Sequence, residues 1–227
     1  MGKRRHILLM AALAVLLCSC TEGSAAVEDA ALPVLFSEPK AAVSFPCALA
    51  DDLVAEEILA YDGPFWEDGS GEEVSRVAAL MLSNTGSRMI EFAAVTVEQG
   101  GKLLHFFVYD LPPENRCLVA EWQRQPYSAE EPQLCQIRTI RWGRQELSRE
   151  EVDYVGTDER LTVVNRTPRT QNILVRYKRY DEEKGYFLGG MAFSSHFFEA
   201  EPQKPKTLAP WHYHAGQARV VSVTLEE

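Results

Sequence analysis

The chain has 227 residues, of which 46% are hydrophobic, and carries 23 Lys and Arg against 33 Asp and Glu, a formal net charge of −10. That apolar share suffices for a packed core, while the acidic balance argues against nucleic acid as a partner, since neutralising phosphates requires a basic face. Between Lys40 and Arg76 there are nine acidic residues and no basic one, a stretch best read as a solvated surface.

Lys3, Arg4, Arg5 and His6 precede eleven apolar residues, Ile7 to Leu17. A basic head with a short apolar stretch describes a secretory signal peptide, and the stretch is too short to span a bilayer as a permanent helix. It stops at Leu17-Cys18-Ser19-Cys20, which resembles the lipobox of bacterial lipoprotein precursors. The resemblance implies cleavage before Cys20, lipid on Cys20, and a protein anchored through its N-terminal lipid on the extracytoplasmic side of a membrane of the bacterial cell envelope. Removing residues 1–19 takes away three basic side chains and no acidic ones, so the exported part carries a net charge of −13.

Residues 20–46 are rich in Ala, Ser, Glu and Pro without sustained periodicity and read as a flexible tether. From about Leu49 the pattern becomes short apolar runs split by turn residues, the grammar of an all-β chain. Strands are predicted at Ala78 to Leu82, Met89 to Val97, Leu103 to Tyr109, Cys117 to Trp122 and Leu134 to Trp142, with Gly100-Gly101 as a tight turn. A connector or one short helix is expected over residues 143–157.

A second series then repeats the first. Leu161 to Val164 runs into Asn165-Arg166-Thr167-Pro168, as the earlier strand ran into Asn84-Thr85-Gly86. Ile173 to Tyr180 alternates, placing Ile173, Val175 and Tyr177 on a buried face and Arg176 and Lys178 on a wet one. Tyr186 to Phe193 and Ala218 to Leu225 complete the set. The expected fold class is all-β: two tandem immunoglobulin-like β-sandwich domains, 47–155 and 156–227, after signal peptide and tether.

Val175-Arg176-Tyr177-Lys178-Arg179-Tyr180-Asp181 and Gly189-Gly190-Met191-Ala192-Phe193, with the Asp62 to Ser70 segment and the Leu111-Pro112-Pro113 turn, resemble the tandem FxLYD-type sandwich modules of uncharacterised bacterial envelope lipoproteins. That resemblance implies a fold and a location, with no catalytic residues.

Local catalytic and phosphate-binding motifs are missing from the sequence, which favours a non-enzyme without a cofactor. Cys47, Cys117 and Cys135 remain after export, so one disulfide with one thiol left over is the arithmetic expectation, the pair being open. His212 and His214 flank Tyr213 and in a strand would share a face, but a metal would need a third ligand. Asp68, Ser70 and Glu72 place oxygens through a Gly-rich loop; Glu73 stands where a helical calcium loop requires Gly, so an acidic hairpin is expected. Trp66, Asp68, Glu72, Trp211 and Tyr213 are the candidate ligand surface, since aromatic faces stack on sugars and carboxylates accept their hydroxyls. The expected function is a non-enzymatic binding or scaffolding module for a protein or glycan partner in the envelope; an envelope hydrolase with a spatially assembled site and a structural spacer are the alternatives.

Overall fold

Thirteen strands and one 3-10 turn, Ala215–Gln217, form the regular structure of residues 42–226, which this computed structural model describes. Cys20, the signal segment and most of the expected tether lie outside the described residues. In chain order the strands are β1 (Cys47–Ala50), β2 (Leu53–Phe65), β3 (Glu72–Asn84), β4 (Met89–Gln99), β5 (Lys102–Leu111), β6 (Asn115–Ala120) and β7 (Leu134–Gly143). There follow β8 (Val152–Thr157), β9 (Arg160–Asn165), β10 (Gln171–Asp181), β11 (Tyr186–Ala200), β12 (Pro205–Leu208) and β13 (Ala218–Glu226). The protein is all-β, with sheets packed face to face as in a sandwich.

Period-two side-chain alternation explains the strands. Along β3, Ala78, Leu80 and Leu82 enter one core cluster while Ala79 and Met81 enter another. At Gly100 and Gly101 φ is +57° and +70°, the left-handed values a two-residue hairpin turn requires, and Gln99 therefore faces Lys102.

The connectivity occurs twice. In the first half β3 lies between β2 and β6, and β4 between β5 and β7; in the second, β9 lies between β8 and β12, and β10 between β11 and β13. The same side chain ends the leading strand in each half. Asn84 Nδ2 donates to the carbonyls of Arg88, Leu111 and Pro112, and its Oδ1 accepts from Gly86 N. Asn165 Nδ2 donates to the carbonyls of Arg169 and Ala200, and its Oδ1 accepts from Thr167 N. Each buried amide thus closes its own turn and ties it to the end of a distant strand.

Each half has its own core, one built mainly from β2 to β6, the other from β8 to β13 with Tyr213. They meet where β6 and β11 pair in parallel at Cys117↔Phe187 and Leu118↔Leu188, giving one seven-stranded sheet in the order β1-β2-β3-β6-β11-β10-β13. The stretch read as a connector or helix contains β8, so the division anticipated between residues 155 and 156 falls within a strand. Cys117 and Cys135 do not flank a hairpin: β6 pairs with β3 and β11, and β7 with β4. Lys178, expected on the wet face of β10, is fully buried.

Beyond the two parallel pairs the backbones come very close. A Cβ on Gly190 would lie 1.7 Å from the Phe107 carbonyl oxygen, whereas one on Gly101 would meet nothing within 4 Å. Gly190→Ala should therefore cost about 3 kcal/mol or more through a backbone clash, and Gly101→Ala about 1–2 kcal/mol through its positive φ alone. Urea unfolding midpoints that place the two variants in the opposite order would contradict this account of the seam.

Candidate functional site

The loop joining β2 to β3, residues 66–71, is held from below. Phe65 packs with Val77 and Ala120, and the Arg124 guanidinium lies 4.5 Å over the Phe65 ring. From there Arg124 forks to Asp68 Oδ2 and Glu72 Oε2, both at 2.7 Å. Asp68 Oδ1 accepts from Ser70 N at 2.9 Å, and Gly71 N donates to Phe65 O at 2.9 Å. Burial opposes ionisation of Asp68, but hydrogen bonds from Ser70 and the pairing with Arg124 outweigh it and hold the carboxyl below the usual range.

Within this loop Glu67 is 2% exposed and turns inward to the seam. Its Oε1 accepts from Ala120 N and its Oε2 from Gly190 N, each at 2.7 Å. These N–H groups lie just past the parallel pairing of β6 and β11, where the ladder stops. Alongside, Lys178 Nζ donates to the carbonyls of Tyr109, Gly190 and Met191 at 2.8, 2.7 and 3.1 Å. Burial pushes the Glu67 carboxyl up to about 7, although its two N–H bonds and the Lys178 charge favour the ionised form. Burial likewise lowers the Lys178 ammonium from its ordinary value.

Over this seam lies a cleft of about 480 Å³. Asp68, Gly69 and Ser70 form one wall; Trp122, Met191, Ala192, Phe193, Trp211 and His212 complete it. Trp211 is 71% exposed and Trp122 44%. His212 sits between Trp211 and Phe193, with ring centroids at 3.9 and 4.5 Å. Its imidazole is held below its ordinary pKa by burial and by the Arg179 charge. Trp122 is positioned by the fully buried Glu121, whose Oε1 accepts from His105 N and whose Oε2 accepts from Gln123 N and Gln125 N. Two open indole faces beside an ionised carboxylate can stack a flat apolar surface and accept hydroxyl protons.

Of the five residues expected to form the ligand surface, Asp68 and Trp211 share this cleft. Trp66 lines a neighbouring one with Arg179, whose guanidinium covers its ring at 4.3 Å. Glu72 is engaged by Arg124. Tyr213 is 4% exposed and belongs to the second core, edge-on to Tyr177 at 5.0 Å. The segment around it is a turn, not a strand, so His212 and His214 do not share a face: His214 Nδ1 is 3.9 Å from Glu159, away from the cleft. Among the described residues no three His, Cys, Asp or Glu side chains converge as a metal site. Among the described residues Cys47, Cys117 and Cys135 are unbridged in this structure. Sequence reading missed Trp122, Phe193 and His212 as wall residues; an aromatic immediately past a strand end, ahead of Gln123-Arg124-Gln125, is the signal Trp122 offered.

No family model matches the chain, and comparison with curated proteins and with solved structures gives no match. No helix among the described residues is long and apolar enough to cross a membrane.

Glu67 ties the site to pH. The folded chain holds its proton up to about pH 7, whereas an unburied Glu releases it near 4.5. The stability it contributes is full below about pH 4.5 and is lost as pH rises through about 7, by about 3 kcal/mol. Glu67→Gln should start less stable at acidic pH, because its amide NH₂ faces a backbone N–H, and should lack this decline. Urea titrations of both proteins across this pH interval measure the difference; parallel curves would remove Glu67 as the titrating group.

Proposed function

We propose that this protein is a lipid-anchored cell-envelope protein, attached through Cys20 on the extracytoplasmic side of a membrane, and that it acts as a non-enzymatic binding module. The lipobox resemblance supports the anchor. The twice-used connectivity and the paired Asn84 and Asn165 support a body of two tandem immunoglobulin-like sandwiches of the FxLYD type. The aromatic cleft carries the binding role: Trp122 and Trp211 keep exposed rings beside Asp68, a costly arrangement for a surface with no ligand. A glycan fits this chemistry, with C–H faces of the sugar on the indoles and hydroxyls donating to Asp68.

Calorimetric titration with soluble envelope oligosaccharides tests the reading. Trp122→Ala combined with Trp211→Ala should weaken binding at least about tenfold, roughly 1.4 kcal/mol, while shifting the thermal midpoint by only about 2 °C because both rings are exposed. Undiminished affinity in the double variant, or ligand turnover abolished by a single side-chain change, would replace the binding module with another surface or with a hydrolase.

The anchor has its own measurement. Mass spectrometry of membrane-extracted protein should find acyl chains on Cys20 at the mature N-terminus, and Cys20→Ala should release unmodified soluble protein. Recovery of an intact leader from wild-type cells would reject the tether.

A further inference from the structure

We propose that Cys47 and Cys135 are joined by a disulfide in the mature protein, stapling β1 to β7 at the rim of the first core. Three observations select this pair. Cys47 lies opposite Ala55 in the β1–β2 ladder, and Cys135 opposite Val97 in the β4–β7 ladder. Directly opposed residues project to the same face, and Ala55 and Val97 are both fully buried in the one core between these sheets. Both cysteines therefore point inward from two edge strands that close on each other, and Cys135 packs against that core. The approach of the two strands continues before them, where Val43 N donates to Pro132 O at 2.7 Å. β1 and β7 themselves are in direct contact.

The third cysteine is excluded by its position. Cys117 is fully buried at the seam between the halves, and its Sγ donates to the Gly189 carbonyl at 3.0 Å. Bridging it to either partner would require opening the sheets. Cys47 and Cys135 are each partly exposed, so an oxidant can reach them.

Closure needs a two-electron acceptor, here a disulfide of the exported compartment, either a thiol oxidase or oxidised glutathione. Burial pushes the Cys135 thiol up to about 12, which makes it a poor first nucleophile. Cys47 thiolate attacks the oxidant's disulfide and forms a mixed disulfide, releasing one thiol. Cys135 then loses its proton and displaces the second, so the two cysteines give up two protons and two electrons and the oxidant is reduced to two thiols.

The staple acts at a vulnerable place. β1 has four residues, is an edge strand, and pairs with β2 alone. It is also where the body follows the expected tether, so any pull on the anchor reaches β1 first. A bond enclosing about 90 residues removes much unfolded-chain entropy and keeps β1 from peeling off its neighbour.

The proposal rests on the export reading only for its oxidant, and the test separates the two. Purified full-length chain carrying Cys18→Ser and Cys20→Ser, which leaves Cys47, Cys117 and Cys135 as its three cysteines, is equilibrated with excess oxidised glutathione and mapped under non-reducing conditions. A single linkage between the Cys47 and Cys135 peptides is expected, with Cys117 titratable only after denaturation. Reduction should lower the thermal midpoint by roughly 5–10 °C. Cys47→Ser and Cys135→Ser should each match the reduced wild type, and Cys117→Ser should keep the redox-dependent shift. Three titratable thiols after oxidation, or any linkage through Cys117, overturns the pairing. If the bond closes in the tube yet is missing from protein isolated from whole cells, the pairing stands and the export reading falls.

Discussion

A split in the main-chain ladder, filled by two buried ionisable side chains, governs the rest of this molecule. The parallel contact of β6 and β11 is too short to satisfy the backbone groups that follow it. Glu67 supplies the acceptor for Ala120 N and Gly190 N, and Lys178 supplies donors for three carbonyls around the same point. Unsatisfied, those groups would each cost about 1–3 kcal/mol. Burial still costs the pair, raising the Glu67 carboxyl and lowering the Lys178 ammonium, and the hydrogen bonds to Glu67 and the opposite charge of each partner offset only part of that cost. Gly190 completes it, because only a residue without a side chain lets Phe107 approach.

The cleft is a consequence of that seam. Glu67 can reach inward only if the loop carrying it crosses from the first half onto the second, and this crossing puts Asp68 and Ser70 beside Phe193, Trp211 and His212. Arg124 stiffens the crossing by bridging two carboxylates and capping the Phe65 ring. Of the loop's carboxylates, Glu67 is turned into the seam and Asp68 is paired with Arg124. The exposed aromatic rings belong to elements far apart in the chain, Trp122 after β6 and Trp211 before the 3-10 turn.

Much of the architecture was legible beforehand. Strands β3 to β7, β9 to β11 and β13 were anticipated, β4, β10 and β13 from alternating faces and β3 from an unbroken apolar run entering a turn, and Gly100-Gly101 because a two-residue turn demands left-handed backbone. The repeated Asn followed by turn residues was visible as a pattern, and its function in closing each half became apparent only with the partners of Asn84 and Asn165 in place. β1, β2, β8 and β12 went unseen as strands, β2 because Glu56, Glu57, Asp62, Gly63 and Pro64 interrupt its apolar pattern. The first and last are four residues long, and β8 has Gly156 within it, so their hydrogen-bonded neighbours define them more than their own residues do.

By itself the sequence determined the all-β class, the strand rhythm, the acidic surface and the expectation of export, because these follow from local periodicity, composition and a contiguous N-terminal pattern. The tertiary structure decided which side chains of like type do unlike work. Lys178 belongs by alternation to a wet face and is buried, since β11 and β5 close over it with three carbonyls. Tyr213 and Trp211 are near neighbours, one in the core and one in solvent, since the chain turns between Pro210 and Tyr213. Burial of this kind depends on what lies across space from a residue, and one-dimensional spacing carries no information about that partner.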